Sequence, residues 1–163
     1  MKTIRCLALV LVLMFFSSSS VQAISLDFVP STQQVDIGST VDVDIVISGL
    51  GDFTDPSLGV FDLDVIFDPT ILSFDSVTFG LLLGDPSLGE AITVEDASTP
   101  GTVNLFEVSL LEGDAVTCFF CIPPFLNDLQ PSSFTLATLT FDTLSVGTKP
   151  AQLLGERLRR RRC

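Results

Sequence analysis

The segment GVFDLDVIF (residues 59–67) sets Phe61, Leu63, Val65 and Phe67 on every second position, with Asp62, Asp64 and Ile66 between them. TVDVDIVIS (residues 40–48) repeats the pattern, with Val41, Val43, Ile45 and Ile47 against Asp42, Asp44, Val46 and Ser48. A period of two sends successive side chains to opposite faces of an extended chain, so each segment reads as a strand with one dry and one wet face. ISLDFV, LSFDSVTF, AITVE, TVNLFEVSL and SFTLATLTF are further strand candidates, rich in β-branched residues and Phe. Gly38, Gly49 to Gly51, Asp68-Pro69, Gly84 to Pro86, Pro100-Gly101 and Gly113-Asp114 punctuate them as turns. No window carries a sustained helical stripe; FLNDL (residues 125–129), inside the long connection 111–133, is the one short helical turn expected. The spacing predicts an antiparallel β-sandwich. SFTLATLTF is apolar on both faces, Phe134 and Leu136 on one and Leu139 and Phe141 on the other, which predicts a central strand covered on both sides or one near a sheet corner. DPSLG occurs at 55–59 and at 85–89 without matching flanks, and is read as two similar turns.

The two ends differ from the body. Lys2 and Arg5 precede an apolar run over residues 7–16, and SSSSVQA then offers a Val-x-Ala cleavage site, so residues 1–23 are expected to be a removed secretory signal. The run is about half the ~20 residues that a spanning helix needs. The mature chain, from Ile24, is expected to be one domain without a transmembrane span, secreted to the extracellular side by way of that signal. All but one of the 20 acidic residues lie in residues 24–148, an interval without Lys or Arg. Lys149, Arg157 and Arg159 to Arg162 form a basic tail, residues 149–163. An acidic body repels phosphate backbones and anionic lipid, which argues against nucleic acid and membrane surfaces and for cations or a basic protein face.

Few chemistries remain. The chain has no His, which excludes Ser-His and Cys-His nucleophilic catalysis. Its only Lys beyond the signal is Lys149, leaving no lysine base in the body. A carboxylate pair could in principle hydrolyse a glycosidic bond, but Trp and Tyr, the usual sugar platforms, are absent. The chain is therefore read as not an enzyme, with no cofactor. Cys118 and Cys121 (CFFC) are expected to close a structural loop disulfide ahead of a redox or zinc role, because CIPPF is poor helix context and no further ligand set exists. Calcium is a candidate ion. Asp42 with Asp44, or Asp62 with Asp64, lie about 6.6 to 6.8 Å apart on one strand face, and Asp52 and Asp55 could add loop oxygens. The loop pair is the stronger metal candidate, although no EF-hand spacing is present. Against it stands the reading that these carboxylates keep an outer sheet face wet.

FDLDVIFDPTILSFDSVTFG resembles the early strands of cohesin domains, in which an alternating strand ends in a (Phe/Tyr)-Asp-Pro turn and a second strand runs on to a Gly. VDIGSTVDVDIVISGL is similar to the opening strand, turn and strand of that family, and SFTLATLTFDTLSVG to its late apolar strand; together they cover most of residues 24–147. The resemblance implies a jelly-roll β-sandwich, related to the carbohydrate-binding modules of cellulose-degrading systems. It also implies a secreted, non-catalytic module that offers a sheet face to a dockerin-like protein in extracellular or polysaccharide-related assemblies. The alternative is a carbohydrate-binding or surface-matrix protein with loop calcium, for which polysaccharide is the partner. The chain further resembles cohesin-like exported proteins of Gram-negative bacteria with a C-terminal Pro-Glu-Pro sorting signal. It departs from them in having no Pro-Glu-Pro and no second apolar span. The sandwich is expected over residues 24–148 without its last strand; the basic tail over 149–163 either folds back on the acidic body or binds an anionic surface, or, the favoured reading, is a truncated or frame-shifted stretch that leaves one sheet edge unpaired.

Overall fold

A computed structural model describes residues 23–116, 118 and 120–147, and the backbone of 152–161. The expected signal segment, most of the 1–23 span, thus lies outside the described residues, as do Lys149, Arg162 and Cys163.

Eight strands form, at β1 Ser25–Val29, β2 Thr40–Ser48, β3 Ser57–Ile66, β4 Leu72–Phe79, β5 Ala91–Asp96, β6 Thr102–Ser109, β7 Ser133–Thr143 and β8 Gln152–Arg161. The helical turn expected at FLNDL is a single turn, α1, at Leu126–Leu129. The strands make two four-stranded sheets in the orders β1-β2-β7-β4 and β5-β6-β3-β8, every recorded pair antiparallel. Connections therefore alternate between two ends. Residues 49–56, 80–90 and 110–132 lie at what we call the upper end; 30–39, 67–71 and 97–101 lie at the lower. At the lower end Gly101, at φ 78, turns the chain between β5 and β6 and accepts the Phe67 N–H at 2.9 Å.

The dry faces meet as the alternation predicts. Ile45 and Ile47 of β2, Phe61, Leu63 and Val65 of β3, and Val103 and Leu105 of β6 are fully buried in one core. Phe141 packs edge-on against Phe67 and Phe74, at ring separations of 5.1 and 5.9 Å. Burying such side chains contributes about 1.5–3 kcal/mol each, which is why the strands keep this phase.

Three expectations are corrected. β7 is not apolar on both faces: Phe134, Leu136, Ala137, Leu139 and Phe141 are all buried in the one core. Against β2 the register jumps from Ala137 to Thr135, so Leu136 is the extra residue of a β-bulge. An inserted residue reverses the phase of the alternation, and both apolar sets then face inward. The missing last strand is also corrected, because β8 pairs along β3 from Ile66↔Gln152 to Ser57↔Arg161 and closes that edge. Edge strands need main-chain partners more than apolar faces and commonly carry charge, and Arg157 stands in register with Asp62. The two DPSLG copies, finally, are not similar turns. At 55–59 the strand β3 begins, whereas at 85–89 Asp85 caps a 3-10 turn that Gly89 ends at φ 75.

Gln130 accounts for the first copy's extended state. Its side-chain Oε1 accepts the Leu58 N–H at 2.7 Å, and its Nε2 donates to the Leu58 carbonyl at 2.9 Å. The same nitrogen donates to the Leu82 carbonyl at 2.9 Å, and the Gln130 carbonyl accepts the Phe53 N–H at 3.0 Å. One fully buried residue thus ties β3 and the 80–90 loop through its side-chain amide, and the 49–56 loop through its main-chain carbonyl, to the end of α1.

Candidate binding face

The outer faces of the two sheets differ in chemistry. On the β1-β2-β7-β4 sheet, polar groups satisfy one another. Thr138 Oγ1 donates to Asp44 Oδ1 at 2.6 Å and Thr140 Oγ1 to Asp42 Oδ1 at 2.7 Å, across the β2–β7 pairing. Such a face is stable in water and offers little to a partner.

The β5-β6-β3-β8 sheet presents something else. Register places Ile92, Val108 and Val60 in one row, Val94, Phe106 and Asp62 in the next, and Asp96, Asn104 and Asp64 in the third. All three rows point away from the core, because their neighbours Phe61, Leu63, Val103 and Leu105 point into it. The face therefore divides into an apolar half toward the upper end and an acidic half toward the lower. Ile92 and Val94 are about half exposed, at 49% and 50%. In the acidic half Asn104 Nδ2 donates to Asp62 Oδ1 and to Asp64 Oδ1, each at 2.9 Å. One amide nitrogen fixes two carboxylates side by side. Asp96 is held below the usual carboxylate range by its hydrogen bonds with the Ser98 side chain and backbone, so it stays ionised through neutral pH. β8 runs along the far side of β3, with Arg157 and Arg159 in register with Asp62 and Val60.

The carboxylates of the opening strand thus have distinct places. Asp62 and Asp64 are held on the face. Asp68 lies in the turn after β3, where its Oδ1 accepts from the Thr70 N–H at 3.0 Å and Thr70 Oγ1 at 2.6 Å. The loop candidates for calcium, Asp52 and Asp55, lie at the upper end. Asp52 Oδ1 accepts the Ser132 N–H at 3.3 Å, and Asp55 Oδ1 accepts from Asn127 Nδ2 at 3.2 Å. Both carboxylates thereby bridge the 49–56 loop to the connection around α1. Among the described residues, no three acidic or cysteine side chains converge as a metal site. Cys118 and Cys121 are joined by a disulfide.

Several residues of the face escaped the sequence reading. Phe61 and Phe141 lie in the core, but Phe106 faces outward. The signal was present: TVNLFEVSL is apolar on both phases, Val103 and Leu105 on one and Phe106 and Val108 on the other, as a strand buried inside and partner-facing outside would be. The same segment puts Glu107 on the inner phase. Glu107 is fully buried, neither carboxylate oxygen has a hydrogen-bond partner, and burial pushes its pKa up to about 8.

Solved structures of the same architecture are cohesins. The sixth cohesin of scaffoldin B from Acetivibrio cellulolyticus, solved in complex with a Cel5 dockerin, matches at TM-score 0.57 and 18% identity over 82% of each chain. The chain has the cohesin fold. A structure of a type I cohesin–dockerin complex from Clostridium thermocellum matches that fold at TM-score 0.56 and 8% identity, over 85% of this chain and 82% of the other. CaCohA2 from Clostridium acetobutylicum, solved in solution, matches at TM-score 0.56 and 20% identity, over 83% of this chain and 77% of the other. No family model and no curated protein matches the sequence. The cohesin architecture thus persists here beneath a largely different set of side chains.

Proposed function

We propose that the chain is an exported, non-catalytic cohesin-type module whose β5-β6-β3-β8 face docks a dockerin-like protein. The observation that carries this is the division of that face into an apolar half, Ile92, Val94, Val60, Phe106 and Val108, beside the fixed carboxylates Asp62, Asp64 and Asp96. A desolvated apolar patch next to oriented charge is what a specific protein interface needs, the first for affinity and the second for register and rate. The fold supports the reading, since its structural neighbours include cohesins in complex with dockerins. A partner that fits has an apolar ridge with a Lys or Arg at one end.

The test is titration calorimetry against dockerin modules encoded by the same genome. Phe106→Asp is expected to weaken binding at least about tenfold, or about 1.4 kcal/mol. Thr138→Lys, on the opposite sheet, should leave it unchanged. Equal affinities for the two variants would remove the face from the interface. Retention on insoluble polysaccharide without any dockerin binding would favour the carbohydrate-binding alternative.

A further inference from the structure

The connection from β4 to β5 carries Leu88 on the 3-10 turn Pro86–Leu88, with an exposure of 72%. The turn is held from within. Asp85 Oδ1 accepts the Ser87 N–H at 2.8 Å and Ser87 Oγ at 2.7 Å. The Leu88 and Glu90 N–H groups each donate to the Asp85 carbonyl at 3.1 Å, and Gly89 closes the turn at φ 75. The turn packs beside β5, so Leu88 stands at the upper end of the β5-β6-β3-β8 sheet.

The pairing of β5 with β6 runs one step past the strands themselves. The Leu110 N–H donates to the Glu90 carbonyl at 2.7 Å, which continues the Ala91↔Ser109 register by one pair. Leu110 follows Phe106 and Val108 at intervals of two, and it is 52% exposed where its neighbour Ser109 is fully buried. It therefore lies on the outer phase, in a row above that of Ile92, Val108 and Val60. Glu90 would bring a carboxylate to this row, but its Oε2 accepts the Asp85 N–H at 3.0 Å, which turns the charge back onto its own loop. Glu90, paired with Leu110, is two residues on from Leu88. Leu88 and Leu110 thus continue the exposed apolar stretch that Ile92 and Val94 begin on the β5 side of the face.

Resting on the reading of this sheet as the docking face, we propose that Leu88 and Leu110 form a ledge that extends the face past the end of the strands and selects among dockerin-like partners. Continuity carries the assignment, since the ledge is the next row of the same surface. A partner that covers Ile92 and Val108 and continues for one more row, about 7 Å along the strand, meets Leu110 and Leu88. An apolar side chain at that point gains burial. A carboxylate there would be desolvated beside Asp85 and Glu90 and repelled by them. The ledge thereby separates partners that the rest of the face would bind alike. Because the turn beneath Leu88 is already braced, little ordering is required on contact.

Titration calorimetry of the chain from Ile24 onward, which holds every strand of both sheets, against a panel of dockerin modules encoded by the same genome tests this. Leu88→Ser and Leu110→Ser should each weaken the tightest partner at least about fivefold and the weakest partners less, so that the spread of affinities narrows. Phe106→Asp should weaken every member of the panel. Leu144→Ser, at a residue 51% exposed at the lower end, should change nothing. All of these side chains are exposed or outward-facing, and unchanged circular dichroism will show that the fold is kept. Two results would overturn the ledge and leave the face standing: Leu88 and Leu110 variants that bind like wild type while Phe106→Asp still weakens binding, or losses in those variants that are equal for every partner. A wild-type chain that binds no member, or a Phe106→Asp variant that binds like wild type, would overturn the reading of the face, and the ledge with it.

Discussion

Glu107 lies on β6 opposite Phe61 of β3 and Thr93 of β5, facing the interior with both oxygens unpartnered. A buried carboxylate without a partner is tolerated as the neutral acid, and burial raises its pKa from 4.5 to about 8. The unfolded chain therefore releases this proton first as pH rises. The folded state is favoured fully below about pH 4.5, loses about 1.4 kcal/mol per pH unit between there and about pH 8, and loses no more above. Asp85 and Asp96, whose pKa values are lowered by hydrogen bonds from Ser87 and Ser98, act in the opposite sense and only in the acid range. Glu107→Gln is expected to flatten the decline between about pH 5 and about pH 8, read as denaturation midpoints in urea at several pH values. A wild-type midpoint that does not fall over this range would mean that the carboxylate finds a partner or water. Composition gives no hint of this residue's burial, because a Glu in an alternating strand reads as wet unless its phase is counted from Val103 and Leu105.

β8 turns an edge into an interior pairing. It lies along β3, whose other side is taken by β6, so β3 is the centre of its sheet only while β8 is present. A chain ending at Gly147 would expose the β3 ladder. It is expected to lose a large part of the ~5–15 kcal/mol stability of a domain and to aggregate through the bare edge, measured by thermal unfolding and light scattering. Unchanged, cooperative unfolding of that truncated chain would show β8 to be dispensable. Strands β1 to β7 were legible from their sequence because each has one face in the core. β8 was not, since Arg at four of its ten positions hides the pairing, and what places it is main-chain hydrogen bonding beside an acidic neighbour. The β7 bulge was invisible for a related reason: one inserted residue reverses the phase, and a period count alone reads that as two apolar faces. Of the binding face, the Asp62 and Asp64 positions could be read locally. Their bridge through Asn104 joins residues about 40 apart in the chain and appears only once β3 and β6 are in register.

Across the whole molecule the charge is −12, and its distribution matters more than its sum. Carboxylates stud both outer sheet faces and the loops of both ends, which keeps copies apart. A cation would screen such a surface without occupying a site. Calcium at millimolar concentration is therefore expected to leave the unfolding midpoint where magnesium of the same ionic strength leaves it. A calcium-specific rise, as binding to the folded form alone would give, would assign the ion to the loop carboxylates Asp52 and Asp55. The double use of Gln130 has a consequence for how such a molecule can diversify. Because a single residue fastens the 80–90 loop and the start of β3 through its side-chain amide and the 49–56 loop through its main-chain carbonyl, grafting a foreign loop at the upper end would disturb its neighbours as well. Lineages that elaborate this scaffold would be freer to do so at residues 97–101, a loop tied to its neighbour through the Phe67 N–H to Gly101 carbonyl bond, than at a loop held through Gln130.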